Sequence, residues 1–350
     1  MNKKYEVVIN DIKNRVVNRL LVPGDKLMTE QEMTNYYKVS RITVRQAIAS
    51  LIHSGMLYSK QGKGTFVAQN TNAAANKKNL ISLILVDSSK VLMNMIEGVE
   101  KALLGSNYFF TLHISNADPV YEKETCQKAI NEGVSGIIIF TSHENNNKEF
   151  FTKLVNNNFP IVFIDKLPSV APAHYITTDG FSSMLALTNY VISLGHTRLA
   201  YYASRESATI EQRIQGFYAA AKNNNLDILK SNVIVDENYK DCQVFLENLI
   251  RQENRPTALI CGNDNEAVQC IKKLKSLGLN VPRDISVTGF DNTAEAERDY
   301  SLTTVKQDFN KIGQLAAKTI LRQLETNVTD KYTVFVEGPI IKRESLIPFP

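Results

Sequence analysis

The sequence predicts a small α+β module of helices closed by a two-stranded wing, joined to a two-lobed α/β domain. Three observations predict it. The first 70 residues carry helical hydrophobic spacings that end in a glycine-flanked hairpin. Residues 69–79, "QNTNAAANKKN", have no hydrophobic period. From Leu80 onward, short apolar strands alternate with helix-length segments.

The first helix is read over Val8, Ile9, Ile12, Val16 and Leu20, one apolar face, ended by "VPGD" where Pro23 and Gly24 mark a turn. Thr29 with Glu32 three residues on is a capping box, and the short helix it opens must stop before Ser40. Ser40 is a preferred N-cap for a third helix, in which Val44, Ala47, Ile48 and Leu51 share a core face. Successive residues 100° apart put Ile42, Arg45, Gln46 and Ala49 on the open side, with Arg41 at its edge. Major-groove base edges accept those side chains: Arg bidentate to guanine, Gln to adenine, small apolar groups against the thymine methyl. "MLYSK" and "TFVAQ" read as strands, and "QGKG" between them supplies a hairpin's glycines. Three helices and a wing make a winged helix-turn-helix.

Charge separates this module from an ordinary helical hairpin. Residues 1–70 hold eleven Lys and Arg against five Asp and Glu, a net +6; the whole chain carries +4, which leaves −2 for the remainder. A small module with all the excess positive charge has the footprint of a phosphate-backbone binder.

After residues 69–79, read as a linker, strands and helices alternate in the manner of a parallel sheet covered on both faces. A first run goes from "LISLILV" to "PIVFID"; a second is read from "HYITTD" through "RLAYYA", "NVIVD", "TALICG" and "DISVTGF". Ligands of such open sheets lie beyond the carboxyl ends of the strands. The residues there are Asp87, Ser88 and Ser89; Thr141, Ser142 and His143; Asp165 and Lys166; Asn263 and Asp264; and Asp291. Paired polar donors and acceptors with few apolar neighbours suit a polyhydroxy ligand, although Asp and Ser at these positions also cap the following helices.

The remaining features bound the function. The four cysteines, Cys126, Cys242, Cys261 and Cys270, lack CxxC spacing and read as buried free thiols. His53, His113 and His174 have no ligand spacing, so no metal is expected. The only GxG belongs to the wing, and neither a Walker A sequence nor a GxSxG elbow occurs. No catalytic residue and no cofactor is therefore expected, and the rival reading is a sugar-modifying enzyme with a DNA-binding appendage. No apolar run reaches membrane-helix length and no signal-peptide pattern opens the chain, which predicts a cytoplasmic protein without membrane partners.

The first 70 residues resemble the DNA-binding domain of the GntR family, through "PGDKLMTEQEM", "VSRITVRQAI" and "GMLYSKQGKGTFV". The resemblance implies that Arg41, Thr43 and Arg45 contact phosphates and bases, and that Lys63 and Gly64 enter the minor groove. Gln61, Glu30 and Lys4 are further candidates. Glu30 is equally a first-turn helix residue favoured by the dipole, and Lys4 a solvated terminal charge.

"RIQGFYAA", "PTALICGNDNEA", "DISVTGFDN" and "LTTVKQDFNKIGQLAA" resemble the effector domain of the LacI/GalR repressors, a type I periplasmic-binding-protein-like fold. That resemblance implies a sugar cleft lined by Arg213, Asp264, Asp291 and Lys166. Ser89 and His143 join this set from the strand-end positions, and His196 is read as structural. The expected boundaries are 1–68 for the winged module, 69–79 for the linker and 80–350 for the effector domain. The fusion resembles the arabinose repressors, which implies a homodimer on a palindromic double-stranded operator, released by L-arabinose; another pentose, a nucleoside or a phosphorylated sugar is the alternative effector.

Overall fold

The computed structural model describes residues 4–17, 20–53, 56–60, 62–68, 78–170, 172–204, 207–235, 242–326 and 330–350. Two compact units divide the chain, residues 1–80 with 128–135 and the remainder.

In the first unit, α1 (Lys4–Val17), α2 (Glu30–Tyr37) and α3 (Arg41–His53) precede the antiparallel strands β1 (Leu57–Lys60) and β2 (Gly64–Val67). Val8, Ile9, Ile12 and Val16 of α1 pack with Val44, Ala47, Ile48 and Leu51 of α3, and Leu27, Met33, Leu57 and Val67 close the core. Leu20 departs from its expected place on the α1 face. It lies outside the helix, 74% exposed, and its N–H bonds to the Arg15 carbonyl five residues back, so the chain has already left the helix axis. Both halves of the Thr29/Glu32 capping box are present. Helix α2 ends at Lys38 in the left-handed region, and two residues later the Ser40 hydroxyl caps α3 by accepting the Thr43 N–H. That short turn makes the helix-turn-helix.

The two-lobed region from Lys78 onward contains two six-stranded sheets. Its elements are β3 (Lys78–Leu85), α4 (Lys90–Leu103), β4 (Phe109–Ile114), α5 (Pro119–Asn131), β5 (Val134–Ile139), α6 (Lys148–Asn156), β6 (Ile161–Ile164), β7 (His174–Thr178), α7 (Gly180–Ser193), β8 (Leu199–Ala203), α8 (Ala208–Asn223), β9 (Val233–Val235), α9 (Gln243–Ile250), β10 (Ala258–Cys261), α10 (Asp264–Ser276), β11 (Ser286–Asp291), α11 (Ala294–Tyr300), β12 (Thr303–Lys306), α12 (Phe309–Thr326), β13 (Thr333–Val336) and β14 (Ile340–Ile341). Lys78 and Asn79, read as linker, open β3, and residues 69–77 lie outside the described residues. One sheet has the order β13-β7-β6-β5-β3-β4, the other β14-β12-β11-β10-β8-β9. Strand β8 shows why its sequence is apolar throughout: Tyr201 faces a core built with α7 and α8, and Tyr202 faces one built with α9 and α10.

The lobes do not follow one another in sequence as expected. "HYITTD" is β7 of the first sheet, paired in parallel to β6 with Val162 opposite His174. Among the described residues no helix separates the two strands, so the break in alternation resembles a lobe boundary. Helix α12 packs through Phe309, Ile312 and Ile320 into the first lobe's core, and β13 pairs with β7. The chain thus crosses between lobes three times: from β7 to α7, from β12 to α12, and from β13 to β14. All four cysteines are buried and unbridged. No helix among the described residues is long and apolar enough to cross a membrane.

Candidate nucleic-acid interface and effector cleft

On α3 the side chains fall where the helical wheel puts them. Ile42, Arg45, Gln46 and Ala49 are exposed with Arg41, and Thr43 is half-buried with its hydroxyl on that of Ser40 at 2.8 Å. Glu30, in the first turn of α2, accepts the Arg45 Nε–H on both oxygens at 2.9 and 3.1 Å, with Arg41 Nε at 4.0 Å.

The wing turns at Gly62 and Lys63, and Lys63 is exposed. Gly64 has φ +118°, and a Cβ there would meet Lys26 Cε at 2.8 Å. The position needs glycine for its conformation, whereas the flexible Lys26 side chain could move aside. Lys26, exposed like Lys60 and Lys63, is a further cation at the wing that the sequence did not single out; its bridge pairing with Phe66 and its contact with Gly64 place it there. Lys4 opens α1, and Gln61 lies outside the described residues.

The effector cleft is built from strand ends of both lobes. Asp165 follows β6 with φ +61°. Burial pushes its carboxyl up, while Arg213 and Lys166 oppose the shift. Lys166 Nζ donates to the Ser142 carbonyl at 3.0 Å. From the other lobe, Arg213 projects from α8, buried, with its guanidinium 3.8 Å from the Phe290 ring centroid. Its NH1 donates to the Gly262 carbonyl at 2.7 Å, and its NH2 stands 3.9 Å from Asp291 Oδ1. Burial raises Asp291 to about 7, against the favourable charge of Arg213 and reinforced by Asp264.

The glycine of "RIQGF" has its reason in packing: a Cβ at Gly216 would overlap the Phe181 carbonyl of α7, so only glycine lets α7 and α8 approach that closely and set Arg213 three residues earlier. Two buried polar atoms at this cleft, Arg213 Nε and Ser142 Oγ, lack a hydrogen-bond partner.

Other expected residues are placed differently. Asp264 is fully buried at the start of α10, its Oδ1 taking the Thr304 hydroxyl at 2.6 Å and its Oδ2 the Thr293 N–H at 2.6 Å. Both oxygens serve the lobe's own structure, because the first turn of α10 folds the carboxylate back over β11 and β12. His143 is exposed, its Nδ1 facing the Asn145 N–H at 3.2 Å. With Glu144, Ser207 and Glu211 it lines a cavity of about 400 Å³ between the lobes. Ser89 is exposed at the start of α4 and makes no cap bond there. His196 is structural as read, bonded to the Thr257 hydroxyl and the Ile347 carbonyl. The sequence reading missed Phe290, the platform under Arg213, and Gln307, which donates to Asp291 at 2.7 Å. The strand-end rule, applied to "TTVK", would have found Gln307.

A winged helix with an arginine-bearing recognition face, followed by a two-lobed domain with a charged polar cleft, defines a DNA-binding regulator with an effector domain. Comparison with known proteins agrees. Residues 4–67 match the model for bacterial regulatory proteins of the gntR family, and residues 188–346 the periplasmic binding protein-like domain. The chain is 30% identical to the arabinose metabolism transcriptional repressor of Geobacillus stearothermophilus over 98% of its own length and 96% of that protein's. It is 29% identical to the transcriptional repressor PurR of Vibrio vulnificus over 77% of this chain and 82% of that one. A ribose operon repressor structure from Burkholderia thailandensis, described as putative, shares the fold at TM-score 0.65 and 24% identity, covering 75% of this chain and 98% of that one. The chain belongs to the GntR-type transcriptional repressors with a LacI-like effector domain, the family of the arabinose metabolism repressors. Its relatives are repressors, not enzymes.

Proposed function

We propose that this repressor binds a palindromic operator as a homodimer in the cytoplasm and is released when L-arabinose occupies the effector cleft. The observation that carries the sugar reading is the pairing of Arg213 and Asp291 in one buried cleft, with the Arg213 Nε and Ser142 hydroxyl lacking partners. A carboxylate and a guanidinium grip vicinal hydroxyls by charge-assisted hydrogen bonds. Asp165 and Lys166 contribute from the opposite lobe, so a bound sugar bridges both. The full-length similarity to an arabinose metabolism repressor supports the pentose.

On the DNA, Arg41, Thr43, Arg45 and Gln46 read the major groove and phosphates, and Lys63 with Gly64 follows the minor groove. Two-fold symmetry of a dimer matches paired half-sites. Sugar relieves repression by binding more tightly to the conformation whose winged helices are misplaced for those half-sites. A tenfold to hundredfold loss of operator affinity needs about 1.4 to 3 kcal/mol of such coupling.

A second reading, a different small effector, is favoured by the similarity over this domain to a repressor of another name. Lys166 and Arg213 together leave room for a phosphorylated sugar. A thermal-shift panel of L-arabinose, D-xylose, D-ribose, D-galactose and phosphorylated sugars separates them, since a ligand at about 100 times its Kd stabilises by roughly 2.7 kcal/mol. A shift with L-arabinose alone supports the pentose; a shift with another compound alone replaces it.

A further inference from the structure

The three passages between the lobes lie close to one another. Thr178 ends β7 at the first passage, Gln307 lies between β12 and α12 at the second, and Gly338 lies between β13 and β14 at the third. A Cβ on Gly338 would meet Thr178 Cγ2 at 3.1 Å, and the Gly338 N–H donates to the Ser183 hydroxyl at 3.2 Å. Gln307 is buried, and its amide is used at both ends. Oε1 accepts the Thr178 hydroxyl at 2.7 Å, and Nε2 donates to Asp291 Oδ1 at 2.7 Å. That same Oδ1 is the oxygen facing Arg213.

Asp291 is the last residue of β11, and its φ of +129° lies in the left-handed range. An ordinary strand backbone does not aim this carboxylate; its partners do. Gln307 is the one partner that also belongs to a passage between the lobes.

We infer that Gln307 is the positioning residue through which the state of the cleft reaches the hinge: a single side-chain amide holds the Asp291 carboxylate and the Thr178 hydroxyl together. The inference rests on the reading of the cleft as the effector site. When a ligand hydroxyl engages Asp291, the carboxylate shifts against Gln307, and the Thr178 bond carries that shift to the neighbouring passage. Lobe rotation changes the spacing of the passages, so the ligand favours one rotation over the other. The charged groups facing Asp291 are Arg213, Asp264 and Asp165, and the Gln307 donor favours its ionised form.

The test uses the full chain, a duplex that the wild-type protein selects from random-sequence DNA, and L-arabinose. Sugar-free duplex affinity is the folding control. Thr178→Val keeps the Gln307–Asp291 bond and loses the hinge half; it should retain L-arabinose affinity within about threefold while the ratio of duplex affinities without and with sugar falls at least about fivefold. Gln307→Leu should lose that ratio and also move the pH midpoint of sugar binding upward, which a merely structural residue would not do. Wild-type coupling in both variants, or an unmoved midpoint in Gln307→Leu, overturns the inference. If the wild-type chain ignores L-arabinose, the effector assignment fails by itself. The junction is then read without sugar from the ¹³C carboxyl titration of Asp291, identified by its loss in Asp291→Asn: a midpoint raised in Gln307→Leu supports it, an unchanged one overturns it.

Discussion

The Nε–H of Arg45 on the recognition helix is taken up by both carboxylate oxygens of Glu30 on the helix before it, at 2.9 and 3.1 Å. Both side chains are substantially exposed, so the pair contributes little to stability, at most about 1 kcal/mol. Its consequence is geometric: the guanidinium is held by its inner nitrogen, which on the proposed reading leaves its outer face to DNA.

Arg45→Ala should weaken operator binding by about 1 to 3 kcal/mol and relax discrimination at one base pair. Glu30→Gln removes a negative charge from the DNA-facing surface, so affinity for unrelated duplexes should rise while the ratio of operator to unrelated binding falls. Fluorescence anisotropy on selected and scrambled duplexes measures both. Equal loss on all sequences in Arg45→Ala would assign that side chain to phosphate instead.

Gly216→Ala should cost on the order of 1 to 3 kcal/mol, because the new methyl overlaps the Phe181 carbonyl and forces α8 away from α7. Arg213 moves with the helix. Effector binding should therefore fall while operator binding survives, which calorimetry and anisotropy on one sample distinguish; a variant that binds sugar normally would separate Arg213 from this helix crossing.

His174 is buried against Tyr332, with both ring nitrogens lacking hydrogen bonds. Burial, reinforced by the charges of Lys331 and Arg322, lowers it to about 4. The unfolded chain takes up this proton near 6.5 and the folded chain only near 4, so between those values the unfolded state binds more protons and stability falls as pH falls. Asp291, raised to about 7 from the ordinary carboxylate range, acts in the opposite direction across the whole of that window. The difference between wild type and His174→Phe isolates the histidine. It should shift against wild type by up to about 3 kcal/mol from pH 7 to pH 4 in urea melts, and a pH-independent difference would mean the ring is hydrated.

On the proposed reading, Asp291 also sets the pH dependence of effector binding. An acceptor carboxylate with a value of about 7 is progressively protonated below neutrality. Sugar affinity should fall by up to about tenfold per pH unit below pH 7 and level off above it. Titration calorimetry that finds a flat profile down to pH 5.5 would remove Asp291 as an ionised acceptor.

The recognition face was legible because helix periodicity alone decides which side of α3 is buried, and Val44 and Leu51 leave Arg45 and Gln46 no other side. Leu20 misled because its spacing continues the α1 pattern past the point where the backbone turns away. The lobe boundary was misread at His174 because β6 and β7 pair in parallel without an intervening helix, a return that no local pattern announces. Strand ends pointed to Asp165, Lys166 and Asp291, which the structure sets with Arg213 in one charged cluster. They could not tell that Asp264 spends both oxygens on Thr304 and Thr293, since those partners come from 29 and 40 residues downstream.

On the proposed reading, a sugar in the cleft releases DNA. Its most direct test is the affinity of the full chain for its selected operator duplex, measured by anisotropy with and without saturating L-arabinose. A tenfold to hundredfold weakening with the sugar, about 1.4 to 3 kcal/mol, is the expected result. An operator affinity unchanged by L-arabinose, in a protein that binds the duplex tightly, would contradict it.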